Sequence, residues 1–200
     1  MKLATKKTTL IMLSTIFLPV AANGRYSDIK KFSVRGSGCG LGSVSAELSN
    51  DNKLLSIFYK DFNTSSDDRN NRRSRKHCKV KVSLNGPSNH YLKIKGIEFA
   101  GSINLPKGAS AYVSSEYFLD RSRIGKKFFK KWGIAERKTD DDFELFYPTD
   151  VTSKCSGNAT ITANNTIGVL AGDKDDGYIE VSNVSNRPGL NFIFEWKKCN

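Results

Sequence analysis

Apolar residues recur at every second position through much of this chain. Val80, Val82 and Leu84 alternate with Lys79, Lys81 and Ser83, which gives one dry face and one wet face, the mark of a half-buried strand. Leu92 and Ile94 alternate in the same way; Gly96 then breaks the phase before Ile97 and Phe99 resume it. A glycine at a phase break predicts a β-bulge. Leu54, Ile57 and Phe58 mark another strand, and further strands are predicted at 109–113, 143–147, 159–163, 167–170 and 178–184. Towards the end of the chain Leu190, Phe192, Phe194 and Trp196 point one way, while Asn191, Glu195 and Lys197 point the other. Asp176-Gly177 and Pro188-Gly189 supply turns beside the strands they would join. A helical turn is expected only around 124–132. Many short strands separated by turns predict an all-β fold, a single-domain antiparallel β-sandwich. Its boundaries are read as 36–200, behind a short polar segment at 23–35.

The front of the chain has a different character. Lys2, Lys6 and Lys7 precede an apolar run from Thr9 to Val20, and Val20-Ala21-Ala22 forms a small-residue end. This is the pattern of a secretory signal peptide over 1–22, cleaved near Ala22. Cys39, Cys78, Cys155 and Cys199 all lie behind it, so they mature in an oxidising compartment where an even set of thiols pairs. The mature protein is expected to be secreted, or periplasmic in a Gram-negative cell. No later apolar run reaches the ~20 residues that span a bilayer.

Charge narrows the partners. The formal net charge is +12, and removing the three leader lysines leaves about +9 on the mature chain. Such a balance favours anionic partners, a glycan or a membrane surface; nucleic acid is not expected of an exported chain. Two segments concentrate the charge. The first contains Arg72, Arg73 and Arg75 within a basic run from Arg69 to Lys81, and arginine offers oxyanions a planar fork of donors. In the second, six basic residues between Arg121 and Lys131 interleave with Phe128, Phe129 and Trp132. Lys126 and Lys127 would attract an anionic surface there while the aromatic rings insert or stack. A solvated loop in the first case, and core aromatics in the second, are the competing structural explanations.

Catalytic and metal chemistry find little support. His77 and His90 are the only imidazoles, and no serine sits in a Gly-x-Ser-x-Gly turn. A Glu98–Glu116 pair is the nominal acid pair for a polysaccharide hydrolase, the alternative to a binding module. A purely structural secreted protein is the third reading. The Asp-rich stretches at 140–142 and 173–176 lack the register of a calcium loop, and the cysteines lack Cys-x-x-Cys spacing. No catalytic residue, metal or cofactor is assigned. Asn63, Asn158, Asn164 and Asn183 open Asn-x-Ser/Thr sequons, glycan acceptors if the source is eukaryotic.

Several motifs taken together resemble one family. Gly36-Ser-Gly-Cys39-Gly-Leu-Gly-Ser43 resembles the "GSGCPxGS" opening of the secreted DUF4360 proteins of fungi and bacteria, with Gly40 in place of the proline. The segment 54–62 is similar to the family's "LSxxFxxF", and Arg75-Lys-His-Cys78 to its "RKNC", with His77 in place of asparagine. Gly101, Leu105-Pro-Lys-Gly-Ala109, Tyr117-Phe118, Cys155-Ser-Gly and Phe194-Glu-Trp-Lys-Lys-Cys199 complete the set. The resemblance implies export, a β-rich fold and two disulfides, and no established activity. Four thiols allow three connectivities, which the sequence leaves open. The pairing expected here is Cys39–Cys78 with Cys155–Cys199.

Overall fold

A computed structural model describes residues 27–66, 72–120, 122, 124–135, 138–172, 176–182 and 188–200. The leader, its cleavage site near Ala22, Arg69, Arg121, Arg123, Asn183 and residues 173–175 of the acidic stretch lie outside the described residues. The strands, in chain order, are β1 (Asp28–Arg35), β2 (Val44–Leu48), β3 (Leu54–Tyr59), β4 (Asn63–Ser66), β5 (Arg73–Asn85) and β6 (His90–Leu105). They continue as β7 (Ser110–Leu119), β8 (Lys126–Trp132), β9 (Thr139–Thr152), β10 (Asn158–Leu170), β11 (Gly177–Val181) and β12 (Leu190–Lys198). All pair antiparallel, in two sheets packed as a sandwich.

The first sheet runs β1-β5-β10-β7-β8. The second is organised on β6, which carries β9 along one edge and both β12 and β11 along the other. β3 and β2 lie beyond β12, and β4 lies beyond β11. Between the sheets sit Val80, Val82, Leu84, Ile161 and Ile167 from one side, against Leu92, Ile94, Ile97, Phe99 and Phe192 from the other, all buried. These are β-branched, leucine and aromatic side chains at alternate positions, which suit a pleated surface with one dry face.

The bulge falls where the phase breaks. Along β12 the pairing steps from Ile193↔Gly96 to Phe194↔Ile94, leaving Lys95 as the extra residue. A methyl group at Gly96 would stand 2.4 Å from the ring of Phe146, so glycine here allows that ring to lie against the sheet.

Three stretches depart from their sequence reading. Residues 126–132 form a strand and not a helical turn: Lys126–Trp132 pairs residue by residue with β7, and the side chains alternate between core and solvent. Asp28–Arg35, expected as a segment ahead of the domain, is an edge strand of the first sheet, with Phe32 and Val34 facing Val82 and Val80 of β5. The strand expected at 109–113 extends to Leu119, because Val113, Tyr117 and Leu119 continue the buried alternation.

The disulfides pair as expected. Cys39–Cys78 ties the β1–β2 connection to β5, and Cys155–Cys199 ties the end of β9 to the end of β12. With sequence separations of 39 and 44 residues, each closes a loop worth roughly 4 kcal/mol in the chain-entropy description. The opposite edge, between β8 and β9, is closed by rings. Phe128 stacks on Tyr147 at 4.1 Å and tilts against Phe99 at 4.6 Å, and Trp132 meets Phe143 at 4.8 Å.

Candidate functional site: two faces of opposite charge

In a sandwich, each strand gives every second side chain to the core and the alternate ones to solvent. On β5 the inward set is Cys78, Val80, Val82 and Leu84, which leaves Arg73, Arg75, His77, Lys79 and Lys81 as a row on the outer face. At ~3.4 Å per residue the row runs for about 27 Å with a charge-bearing side chain every ~7 Å. The β1 register sets Arg35 beside Lys79 and Lys31 beside Ser83, which widens the row. On its other flank β10 sets Thr160, Thr162, Asn164 and Thr166 beside Ser83, Lys81, Lys79 and His77, a parallel line of hydroxyl and amide groups.

Two shallow depressions meet at Arg75. One, of about 380 Å³, is lined by Arg35, Arg75, His77, Lys79, Asn164 and Thr166. The other, of about 290 Å³, lies among Arg73, Arg75, Tyr112, Lys131 and Leu170. His77 is held in place by Ser37, whose Oγ accepts the His77 backbone N–H at 3.2 Å and lies 3.2 Å from Nδ1.

Tyr112 and Phe129 form an aromatic pair beside the second depression, with ring centroids 5.7 Å apart. A methyl group at Gly168 would stand 2.3 Å from the Tyr112 ring, so the ring lies flat over this glycine. Phe129 is 59% exposed, and Lys127 and Lys131 flank it on the same outward side of β8. The described carboxylates of this face are Glu116, paired with Lys127 at 3.4 Å, and Asp28 at one edge.

Period two therefore divides the second aromatic-basic cluster. Lys127 and Phe129 reach the outer face. Lys126, Phe128 and Trp132 take the opposite parity; Phe128 is only 6% exposed and Trp132 is packed against the core. The ring of Phe128 thus belongs to the closed edge of the sandwich and takes no part in an outward surface. Arg72 is exposed just before β5, out of line with the row, and its carbonyl accepts the Ala171 N–H. Sequence reading omitted Lys31, Arg35 and the β10 line, since those need the neighbouring strands to be known. Alternation was visible in the sequence only from Lys79 to Leu84; Arg73–His77, expected as a solvated loop leading into that strand, belongs to β5 itself.

The outer face of the second sheet has the opposite sign. The β6–β9 register sets Glu98 beside Phe146, Ala100 beside Glu144, Ser102 beside Asp142 and Asn104 beside Asp140. β11 adds Glu180 beside Ser102. The Glu180 carboxylate accepts hydrogen bonds from Tyr178, from Ser182 at 2.8 Å and from Ser102 at 3.3 Å; burial, and then the neighbouring carboxylate, push the Tyr178 hydroxyl above its ordinary pKa. Buried Ser56 donates to Asn191, which donates to Glu98 at 3.2 Å. Lys93, Lys95 and Lys197 lie towards the far end of β6, tied to Asp150 and Glu195. The Lys93–Asp150 hydrogen bond raises the lysine pKa and lowers that of the carboxyl.

Glu98 and Glu116 stand on opposite outer faces of the sandwich, so they cannot flank one glycosidic bond. His90 Nδ1 hydrogen-bonds the Ser88 carbonyl at 2.8 Å. Among the described residues no group of three or more His, Cys, Asp or Glu side chains is placed to hold a metal ion. Asn63, Asn158 and Asn164 begin β4, begin β10 and face outward from β10, respectively.

Comparison with known proteins fits this architecture to a family. Residues 26–199 match the family described as "Domain of unknown function (DUF4360)", and the chain belongs to it. An uncharacterized secreted protein of Arthroderma benhamiae is 23% identical over 145 residues, covering 70% of this chain. The match spans 58% of that relative's own length. The solved complex of TmCBM61 with beta-1,4-galactotriose aligns over 83% of this chain and 90% of its own, at 12% identity and a TM-score of 0.30.

Proposed function

We propose that this DUF4360 member is an exported, non-catalytic binding protein whose basic outer face holds an extended anionic polysaccharide. The observation that carries the reading is the row Arg73, Arg75, His77, Lys79 and Lys81 on β5, lined by the hydroxyl and amide groups of β10. A straight run of basic side chains about 27 Å long, with two arginines at one end and two lysines at the other, matches a linear polymer with regularly repeated carboxylate or sulfate groups. The threonines and Asn164 offer partners to sugar hydroxyls between the charges, and the Tyr112–Phe129 pair offers a ring surface against which a pyranose can stack. Export with cleavage near Ala22, and the two disulfides, suit a protein working outside the reducing cytoplasm.

A lipid surface is the weaker partner. Insertion into a bilayer needs apolar side chains gathered on one rim. Exposed Ile124 and Ile134 lie beyond opposite ends of β8, and exposed Leu41 lies in the β1–β2 connection.

The test is binding of the oxidised protein to sulfated and uronate polysaccharides and to anionic vesicles, by calorimetry at physiological ionic strength. Arg73→Gln with Arg75→Gln is expected to weaken polysaccharide binding by roughly tenfold or more, as each charged hydrogen bond contributes about 1.5–3 kcal/mol. Lys126→Gln, on the other parity, should leave it unchanged. Equal loss in both variants, or binding to vesicles alone, would overturn the assignment.

A further inference from the structure

The acidic face has no part in polysaccharide binding, yet its sign is opposite to that of the chain as a whole. On one broad face lie Arg73, Arg75, Lys79 and Lys81; on the other lie Glu98, Asp140, Asp142, Glu144 and Glu180. Both are outer faces of antiparallel sheets with their strands held in register; Asp140, Asp142 and Glu144 are exposed, while Glu98 and Glu180 are half-buried and held by neighbouring hydrogen bonds. We infer that a second copy of this chain docks its acidic face on the basic face of the first, building salt-sensitive stacks.

Charge complementarity selects this occupant, and area permits it. The acidic residues lie on three adjacent strands, β9, β6 and β11. At ~4.8 Å spacing and about 27 Å of strand length these give roughly 390 Å² per copy, about half the ~800 Å² per partner of ordinary specific interfaces and the size of a transient contact. A contact of that size held by charges at partly wet surfaces is reversible and weakens with salt. Its two surfaces differ, so the contact is heterologous. The faces lie on opposite sides of the sandwich, so each added copy presents a fresh basic or acidic face and the stack does not close on itself. The contact would also cover the β5 row, and the acidic face would act as a stand-in for the polyanion.

Sedimentation velocity of the disulfide-bonded protein, with no glycan present, tests the inference. At about 20 mM salt the mean sedimentation coefficient is expected to rise continuously with concentration, and to fall to the monomer value at about 0.5 M, where the screening length is only a few ångströms. Arg73→Glu/Arg75→Glu/Lys79→Glu leaves two acidic faces, and Asp140→Lys/Asp142→Lys/Glu144→Lys leaves two basic ones. Each triple variant alone should remain monomeric, and an equimolar mixture should associate again. Wild-type protein that stays monomeric at low salt overturns the inference, whatever the variants do. So does association that survives 0.5 M salt or either triple variant, or a mixture that fails to associate. Glycan binding is read separately by calorimetry, so loss of stacking and loss of polysaccharide affinity are distinguishable.

Discussion

Between the two sheets, beside the Cys39–Cys78 bridge, Asn165 Nδ2 donates to the Tyr59 hydroxyl at 2.9 Å, and both residues are almost wholly buried. Asn165 pairs across the first sheet with Cys78 on one side and Ser115 on the other. Ser115 Oγ and Asn165 Oδ1 have no hydrogen-bond partner. The site is polar and buried, so Tyr59→Phe removes this bond and leaves the Asn165 amide buried without its phenol partner. Leaving such a group unsatisfied costs about 1–3 kcal/mol, and a domain of this size loses about 2–4 °C per kcal/mol. The expected fall in melting temperature is roughly 2–12 °C. Asn165→Leu alone should cost as much, by orphaning the phenol. Together the two substitutions leave no polar group from the pair to satisfy, so the double variant should be more stable than the sum of the singles by about 0.5–3 kcal/mol. Thermal and urea unfolding at neutral pH, followed by near-ultraviolet circular dichroism with the disulfides intact, measures all four proteins. A Tyr59→Phe shift below about 1 °C, or strict additivity, would refute this account of the buried bond.

Burial pushes the Tyr59 hydroxyl far above its ordinary pKa. The unfolded phenol ionises near pH 10 while the folded one does not, so this contribution is complete below pH 10 and is lost as pH rises from there towards the folded pKa. The loss is about 1.4 kcal/mol per pH unit for one proton, and Tyr59→Phe should flatten the alkaline stability profile by that much. Cys39 and Cys78 are 4% and 0% exposed, whereas Cys155 is open to solvent; limited reductant followed by alkylation and mass spectrometry should open Cys155–Cys199 first. Simultaneous opening of both bridges would mean that access does not control their reduction. Gly168→Ala should swing Tyr112 off the sheet and part it from Phe129, lowering polysaccharide affinity several-fold while the melting temperature moves by less than about 4 °C; unchanged affinity would remove the ring pair from the binding surface.

The sandwich was legible because its strands alternate cleanly. Val80-Lys81-Val82 and Phe194-Glu195-Trp196 show their faces without a partner, and Gly96 announced its bulge. β1 and β8 were harder for one shared reason. Both are edge strands with few apolar positions in phase: in β1 the register shift between Ile29 and Lys31 leaves only Phe32 and Val34 to show the alternation, and in β8 Lys126 and Lys130 share the parity of Phe128 and Trp132. Part of the row on β5 could be read locally, from the alternation of Lys79 and Lys81 with Val80 and Val82; Arg73, Arg75 and His77 lie in an all-polar stretch that becomes a strand only through its pairing with β10. The acidic face could not: Glu98, Asp142 and Glu180 come from strands far apart in sequence, and only the β6 register brings them together.

That same strand sets the order of events when the chain matures. β3 reaches β6 only through β12, whose Phe192 and Phe194 also complete the core. The second sheet therefore stays open until residues 190–198 are in place to pair with β3 and β6. A chain so wired closes its second sheet by non-local pairing, the slow step typical of all-β topologies. Cys199 follows directly behind β12, so its bond to Cys155 fastens that strand covalently to the β9–β10 connection.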